Sequence, residues 1–448
     1  MTPRRQLHLG YNVLGDGMHP AAWRAPYTNP VGALDPDQWT HVARVAERGT
    51  LDAIFLADSP SLMGGAEGGP GLPFEPTVLL SHLAAVTERI GLVGTVSTSF
   101  DQPYNVARRF ASLDHLSRGR AGWNVVTSTD ASAAANFGSA AHGARDERYA
   151  RAEEFVDVVN ALWDTWDDDA IVADQAGGRF ADGGRVRPID HHGRHFDVAG
   201  PLNVPRTPQG RPVVLQAGGS PAGLELAART ADAVFAAQAS LEDALAYTTD
   251  LRRRTVRHGR PADSIRVLPG LSFVLGGTEE EARRRNDELN EIAGEDRLGT
   301  LAWQLGIDVT ELSWEAPLPD WLLDTTELST AGSQGSREIV LNLARRDRSL
   351  TARQLLERVI TWHRLVVGSP EQLADAIETW FVAGAVDGFN LMPDVNPSGL
   401  EAFVEHVVPI LRRRGIFRHE YEGTTLRDHL GLARPTSARR VARTAAAA

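Results

Sequence analysis

Residues 212–229 read PVVLQAGGSPAGLELAAR, and this stretch predicts a β-strand that turns directly into an α-helix. The apolar, β-branched run Pro212–Gln216 is typical of a buried strand. Ser220 fits the cap at the start of a helix and Pro221 its first turn, where the missing N–H costs nothing. Gly218 and Gly219 let a ligand approach the backbone, and the free N–H groups of a helix start suit a phosphate. A plain helix start without a ligand is the alternative interpretation.

The same strand-to-helix unit recurs along the chain. Eight strands are predicted, at Leu7–Val13, Ala53–Ala57, Ile90–Val96, Ala121–Val126, Pro212–Gln216, Ala233–Phe235, Ile265–Val274 and Gly388–Leu391. Helices are predicted at Asp37–Arg48, Pro76–Arg89, Tyr104–Leu116, Arg148–Trp166, Pro221–Arg229, Leu241–His258, Glu279–Ile292, Pro370–Phe381 and Leu400–Arg413. This alternation favours an α/β fold, either a parallel sheet closed as a (β/α)8 barrel or a doubly wound open sheet, and the pattern leaves both open.

Two connections are too long for ordinary loops between a strand and a helix. They cover about residues 167–211 and 293–368, and we interpret both as insertions on one barrel domain that spans residues 1–432. The second contains Trp303, Trp314 and Trp321, which would form a lid over the substrate or, alternatively, belong to the core or to a subunit interface. Residues 433–448 end in four alanines and are predicted to be a disordered tail.

Composition excludes several kinds of chemistry. The 448-residue chain carries a formal net charge of −12, which disfavours binding to nucleic acid or to anionic membranes. It has no cysteine, so disulfides, thiolate nucleophiles and cysteine-ligated metals are excluded. All of its basic residues other than histidine are arginine, which excludes Schiff-base lysine chemistry and a Walker loop. Without a signal peptide or a membrane-spanning run, we expect a cytoplasmic protein.

Polar residues follow three further strands, where the active site of a barrel would lie. Asp58 follows the second strand, and the stretch 94–100, GTVSTSF, brings Thr95 and Thr98 to the end of the third. The stretch 123–129, WNVVTST, brings Asn124 and Ser128 to the end of the fourth. Such side chains can bind a polar ligand without adding positive charge. Helix caps and strand-end hydrogen bonds are the structural alternatives.

Two other kinds of site are poorly supported by the sequence. The cluster of His191, His192 and His195 lies in a polar stretch beside acidic residues, which is more typical of a solvated loop than of a metal site. No HExxH motif occurs, and no GxSxG motif of a serine hydrolase occurs. We therefore predict no metal.

Taken together and in order, these stretches resemble the luciferase-like flavin-dependent monooxygenases. The resemblance is to the group of nitrilotriacetate monooxygenase, dibenzothiophene-sulfone monooxygenase, the long-chain alkane monooxygenase and the pristinamycin synthase large subunit. The matching text is FLAD at 55–58, LDHLSRGR at 113–120, WNVVTS at 123–128, QAG at 216–218, DGFNL at 387–391 and YEGTTLR at 421–427.

The resemblance implies a (β/α)8 TIM barrel of the bacterial-luciferase type with long insertions. It implies an oxygenase that receives FMN as FMNH2 from a separate NAD(P)H:flavin reductase, and that transfers one atom of O2 to a small organic substrate through a flavin C4a-(hydro)peroxide. It also implies a homodimer or homotetramer. Flavin-binding positions are carried over to Asp58, Thr95, Thr98, Asn124, Ser128, Thr129, Arg145, Tyr149, Gly218, Gly219 and Ser220.

The chain departs from these relatives at two places. Arg145 stands where many of them have histidine, and an arginine there can still bind phosphate. Thr129 also stands where some have histidine, so the polar groups near the reacting oxygen are expected to differ. His19 and Tyr27, in the loop after the first strand, are candidates for substrate contact.

Three other functions remain open from the sequence. A deazaflavin F420-dependent oxidoreductase would use the same barrel. A flavin-binding protein without turnover would use the same pocket. A barrel hydrolase would need a metal or a nucleophile that the sequence does not supply.

Overall fold

The structure is a computed structural model that describes residues 5–62, 69–128, 130–138, 145–294, 296–324, 334–360 and 363–436. Its strands, in chain order, are β1 His8–Val13, β2 Ala53–Leu56, β3 Gly91–Ser97, β4 Ala121–Val126, β5 Ile171–Asp174, β6 Arg179–Ala181, β7 His191–His192, β8 Asp197–Val198, β9 Val213–Ala217, β10 Ala233–Ala236, β11 Arg266–Leu275, β12 Val359–Ile360, β13 His363–Gly368 and β14 Gly388–Pro393.

Eight parallel strands close into a ring. The order is β1, β2, β3, β4, β9, β10, β11 and β14, and β14 pairs back with β1. These are the eight strands that the sequence predicts. The closure selects the barrel over the doubly wound sheet, because an open sheet would leave two unpaired edges.

Two strands of the sheet, β13 and the two-residue β12 beside it, were not predicted. The strand β13 pairs in parallel with residues 271–275 of β11, whereas residues 266–269 of β11 pair with β10. With ten residues, β11 extends beyond β10 and leaves part of its edge open for β13. The sequence hides this strand because it begins with the polar pair His363-Arg364 and lies within the long connection 293–368.

Helices surround the barrel, and most begin where the sequence places a cap. They are α1 Pro36–Arg48, α2 Pro76–Val86, α3 Pro103–Leu116, α4 Ala131–Asn136, α5 Arg145–Trp163, α6 Pro221–Thr230, α7 Leu241–Arg257, α8 Glu279–Ala293, α9 Asp296–Leu305, α10 Asp320–Asp324, α11 Gln334–Arg346, α12 Ala352–Arg358, α13 Pro370–Val382, α14 Ser398–Ala402, α15 Val408–Arg413 and α16 Leu426–His429. The predicted helix Leu400–Arg413 contains a π-helical turn at Phe403–Val407. Pro409, which has no N–H to donate, lies two residues after the end of this turn.

The main core lies between the sheet and the helices. Trp123 of β4 packs against Phe110 of α3 and against Phe155 and Trp163 of α5, with ring centroids 5.8 to 6.3 Å apart. Each of these rings is at most 1% exposed, so their burial is a large hydrophobic contribution to stability. This packing fixes β4 and α5 relative to each other.

The barrel is closed at the N-terminal ends of its strands. Leu426 of α16 and Leu430 pack with the inward-facing Ala53, Phe55 and Val93. Beside them, the buried Asp52 pairs with Arg418 and His8 and accepts a hydrogen bond from the backbone N–H of Leu9. Burial alone would raise the pKa of Asp52, but the Arg418 and His8 partners hold it below its usual range. A site open to ligands must therefore lie at the opposite end.

The two long connections have different structures. Residues 167–211 contain the hairpins β5–β6 and β7–β8. Described residues of 296–356 form helices with an apolar cluster of their own around Leu305, Leu322 and Leu341. Residues 437–448, which make up most of the predicted tail, lie outside the described residues.

Candidate active site

The predicted polar residues lie at the C-terminal ends of neighbouring strands. Strand β2 lies beside β3, β3 beside β4, and β4 beside β9. Their C-terminal ends therefore meet at one side of the barrel mouth, where active sites of such barrels are built.

Thr95 and Asn124 form a buried polar pair between β3 and β4. They are opposite each other in the strand register, and the Nδ2 of Asn124 donates a hydrogen bond of 2.9 Å to the Oγ1 of Thr95. Val93, two residues before Thr95, faces the barrel interior, so Thr95 faces the same side. The Oδ1 of Asn124 is buried and has no partner among the described residues. A buried amide oxygen without a hydrogen-bond partner indicates that a donor, such as a ligand N–H group, is missing.

The next residues continue this polar wall. Ser128 donates a hydrogen bond of 2.8 Å to the Oγ of Ser97 and is only partly buried. Thr98 is different, because its hydroxyl donates to the carbonyl of Val126 at 3.1 Å and is 1% exposed. The Thr98 hydroxyl therefore forms a hydrogen bond within the barrel, as the alternative of strand-end hydrogen bonds predicts. Thr129 lies outside the described residues.

The helix start at Ser220 is built as the sequence predicts. Ser220 caps α6, with Pro221 in the first turn, and its Oγ accepts a hydrogen bond of 3.1 Å from the N–H of Gly223. The hydroxyl of Tyr149 lies 3.2 Å from the same Oγ. A Cβ added to Gly219 would meet no atom within 4 Å, so the backbone there faces open space.

Helix α5 joins the two halves of the site. Tyr149 contacts Ser220, and Arg151, two residues further along α5, donates a hydrogen bond of 3.2 Å from Nε to the carbonyl of Thr98. The end of β3 and the start of α6 are thus held within a short stretch of one helix. Arg145, the first residue of α5, is half-buried at the same end of this helix.

Asp58 supplies the carboxyl group of the site. It follows β2 and is half-buried. Burial and the neighbouring Glu75 carboxylate raise the pKa of Asp58 to about 6. A carboxyl group with such a pKa can donate or accept a proton near neutral pH.

The opposite wall of the barrel mouth was missed by the sequence analysis. Met18 and Met392 pack together with Phe235 and Leu365. His363 stacks on Phe235 with ring centroids 5.0 Å apart, and its buried Nδ1 has no partner among the described residues. Burial lowers the pKa of His363 to about 4, so this ring is neutral. These residues come from distant parts of the chain, and no local motif marks them.

His19 and Tyr27 have structural contacts of their own. His19 is 2% exposed, and its ring bonds to the Oδ1 of Asn290 at 3.1 Å and accepts from the N–H of Ala21 at 3.2 Å. Burial lowers its pKa to about 4. Tyr27 is half-exposed beneath the guanidinium of Arg285, 5.1 Å from its ring. His19 therefore anchors the loop after β1 to α8, at the C-terminal end of the barrel.

The tryptophans of the second long connection also differ among themselves. Arg353 lies 5.2 Å above the ring of Trp314, and Trp321 is 53% exposed. The side chain of Trp303 lies outside the described residues.

The histidines of the histidine-rich stretch are paired with acidic residues. His191 lies 3.0 Å from Glu154, which also accepts the backbone N–H groups of His195 and Phe196. Among the described residues, no group of three potential ligands could hold a metal ion. No described helix is long and apolar enough to cross a membrane.

Comparison with known proteins identifies the family. The family model described as "Luciferase-like monooxygenase" matches residues 18–387. Nitrilotriacetate monooxygenase component A from Aminobacter aminovorans is 45% identical over 451 residues, which is 97% of this chain and 98% of that protein. These matches cover nearly the whole barrel.

Solved structures agree with this assignment. EDTA monooxygenase from Chelativorans sp. BNC1 is 37% identical with a TM-score of 0.81, covering 96% of this chain and 99% of that chain. Riboflavin lyase, solved with modified FMN and riboflavin, is 34% identical with a TM-score of 0.83, covering 96% and 97%. The chain belongs to the luciferase-like monooxygenase family, and it is a flavin-dependent monooxygenase.

Proposed function

We propose that the protein is the oxygenase component of a two-component system, which binds FMNH2 at the ends of β2, β3, β4 and β9 and transfers one atom of O2 to a small organic substrate. The observation that carries the proposal is the convergence, through Tyr149 and Arg151 of α5, of the polar pair Thr95–Asn124 with the helix start at Ser220.

The residues present fit both ends of a flavin nucleotide. The start of α6 offers N–H groups and the positive end of a helix dipole, next to the open backbone at Gly219, and this suits the phosphate. The unpartnered Oδ1 of Asn124 is buried deeper in the barrel mouth and suits an N–H group of the isoalloxazine ring. Arg145 lies on α5 close to the phosphate end and adds positive charge.

When it is bound, reduced FMN supplies the electrons and the reaction with O2. The protein then has to bind and orient the flavin and the substrate, and it has to exclude water. Thr95 holds the amide of Asn124 in one orientation, Tyr149 holds the Ser220 hydroxyl, and the cluster around Met18 and Met392 keeps the facing wall dry. Asp58 is the group in the described site whose carboxyl can exchange a proton near pH 6.

Two arguments support a separate reductase as a partner protein. The name of the relative from Aminobacter aminovorans, component A, indicates a system with at least one more component. Free FMNH2 reacts with O2 by itself, so a separate NAD(P)H:flavin reductase must supply it close to the oxygenase. NAD(P)H as the electron source is consistent with a cytoplasmic location. A homodimer or homotetramer remains our expectation.

Oxygen-18 incorporation tests the reaction. Purified protein is mixed with FMN, NADH, an unrelated flavin reductase and a panel of candidate substrates under 18O2, and the products are analysed by mass spectrometry. The proposal predicts one 18O atom in a product, and the same mixture without the protein should give none. Release of H2O2 alone across the panel would favour a flavin-binding protein without turnover. Tight binding of F420 in place of FMN would favour the deazaflavin alternative.

A further inference from the structure

A cavity of about 690 Å³ lies beside the barrel mouth, away from the strand ends assigned to the flavin. Its lining includes Ala239 after β10, Asn286 of α8, Leu343 of α11, Arg358 of α12 and Val367 of β13. Helix α8 lies at the C-terminal end of the barrel, because Asn290 bonds to His19 and Leu289 packs on Val395. The volume is within the range of pockets that hold small organic ligands.

Arg364 is a half-buried cation in this cavity. Its guanidinium lies 4.9 Å from the ring of Trp380, and among the described residues its side chain makes no hydrogen bond or ion pair. Burial lowers its pKa, and the charge has no described carboxylate to compensate it. A guanidinium has five N–H donors, so this side chain is left with unused donors next to the cavity.

The two carboxylates in the cavity wall face other arginines. Asp287 is close enough to Arg283 to raise the pKa of that guanidinium, after the larger effect of Glu279. Glu357 partly offsets the effect of burial on the pKa of Arg297. Among the described residues, neither carboxylate forms an ion pair with Arg364. The cavity lining therefore carries positive groups at Arg364 and Arg358 and carboxylates at Asp287 and Glu357.

A second polar group in the cavity is also without a partner. Asn286 is 8% exposed, and its Oδ1 forms no hydrogen bond among the described residues. Asn286 and Arg364 are on different elements, α8 and β13, and both line the same space. Buried amides are normally satisfied, and an amide oxygen only accepts, so this atom indicates an N–H or O–H donor from a ligand or from ordered water.

The cavity leads toward the barrel mouth. Leu365 lines it and also packs in the cluster of Met18, Met392 and Phe235 inside the mouth. In the sheet, β13 has β11 on one side and the two-residue β12 on the other, so in the described chain no strand covers the second side of residues 365–368. A ligand along this edge would pass from Arg364 over Leu365 to the interior.

We propose that this cavity binds a carboxylate group of the substrate through Arg364, while the Oδ1 of Asn286 accepts from a donor of the substrate or from water, so that the substrate class is a small organic acid whose reacting part extends past Leu365 to the flavin. This inference rests on the proposed function, because it takes the barrel mouth as the place of oxygen transfer. A carboxylate matches the planar donor set of an arginine better than any neutral group.

Isothermal titration calorimetry of the full-length protein saturated with oxidised FMN tests the inference. The probes are glutarate and tricarballylate, with glutaramide as the uncharged match. We expect at least one of the acids to bind, and glutaramide to bind at least about tenfold more weakly than glutarate. Binding of the amide as tightly as the acid, or no binding of either acid, would overturn the proposal.

Arginine variants locate the binding site. Arg364→Gln should weaken binding of the acid about ten- to a hundredfold, and Arg364→Lys, which keeps the charge and the contact with Trp380, should restore part of it. The matched control is Arg348→Gln, because Arg348 is an exposed arginine of the same connection that pairs with Asp320 and Asp324. Equal affinities in Arg364→Gln and the wild type would remove Arg364 from the site.

FMN fluorescence, recorded in the same solutions, separates this inference from the proposed function. Failure of both oxidised FMN and FMNH2 to bind would contradict the proposed function itself. Binding of FMN without binding of the acids would contradict only the assignment of the cavity.

Discussion

The hydroxyl of Tyr149 lies 3.2 Å from the Oγ of Ser220, and this contact joins two parts of the chain that are 71 residues apart. It fixes the start of α5 against the start of α6. The Oγ of Ser220 at the same time accepts the N–H of Gly223, so the hydroxyl is both a helix cap and a partner of Tyr149. The proposed phosphate site is therefore held in place before any ligand binds.

Ser220→Asp should weaken FMN binding while leaving the helix capped. Aspartate is a good N-cap, so the fold should be kept, but its negative charge would face the phosphate. We expect the dissociation constant for FMN, measured by fluorescence quenching, to rise by about tenfold or more. Ser369→Asp is the matched control, since Ser369 caps α13 and is also followed by proline in the first turn. Equal losses in both variants would contradict the assignment of Ser220.

Gly219→Ala separates ligand binding from stability. The new Cβ would meet no protein atom within 4 Å, so the substitution should keep or slightly raise the free energy of unfolding. A phosphate packed against this backbone would, however, collide with the methyl group, and FMN binding should weaken. Gly183→Ala, at another open position in the residue 167–211 connection, should leave FMN binding unchanged. Normal FMN affinity of Gly219→Ala would mean that no ligand approaches the backbone there.

Thr95→Val tests the polar pair inside the barrel mouth. Valine keeps the shape of threonine but leaves the Nδ2 of Asn124 without its acceptor, which should cost about 1–3 kcal/mol in the free energy of unfolding. The loosened amide should also lower the fraction of consumed NADH that yields oxygenated product. Thr98→Val is the control, because its hydroxyl donates to a backbone carbonyl and does not touch Asn124. A product yield that falls in Thr98→Val but not in Thr95→Val would contradict the role of the pair.

The pKa of Asp58 predicts a pH dependence of stability. Because burial and the Glu75 carboxylate raise its folded-state pKa to about 6, the folded protein binds this proton more tightly than the unfolded chain. The contribution of Asp58 to the free energy of unfolding is fully present below about pH 4 and is lost as the pH rises through 6. Asp58→Asn removes that loss, so the unfolding free energy of the variant minus that of the wild type should rise between pH 4 and 7 by about 2 kcal/mol, a value reduced for solvent screening because Asp58 is only half-buried.

Urea denaturation at several pH values measures this difference. For Asp308→Asn, the difference in unfolding free energy from the wild type should change with pH in the opposite direction. The reason is that the hydroxyl of Thr310 lowers the pKa of Asp308 by hydrogen bonding. A difference between Asp58→Asn and the wild type that stays constant with pH would show that Asp58 has an ordinary pKa.

Much of the barrel could be predicted from the sequence. The eight ring strands are short apolar runs bounded by glycine, proline or polar residues, and the caps at Ser220 and Ser369 mark helix starts. Such local patterns are sufficient for strands that are buried on both faces. The pattern does not determine whether the sheet closes, because closure depends on the pairing of β14 with β1, far apart in the sequence.

The residues that could not be predicted from the sequence are positioned by contacts between elements that are distant along the chain. The strand β13 forms because β11 is longer than β10, and no feature of residues 363–368 alone reveals this. Its residues His363 and Leu365 help to build the wall that faces the proposed flavin site. The division into one domain with two insertions, the roles of the eleven flavin-binding candidates and the oligomeric state stay predictions.

Anaerobic titration of the pure protein with FMNH2, followed by its absorbance and fluorescence, tests the central claim most directly. We predict saturable binding of one FMNH2 per chain that is tighter than binding of oxidised FMN and is weakened in Ser220→Asp but not in Ser369→Asp. A folded protein that binds neither form of FMN, or that binds both equally well in the wild type and in Ser220→Asp, would contradict a flavin site at the ends of β2, β3, β4 and β9.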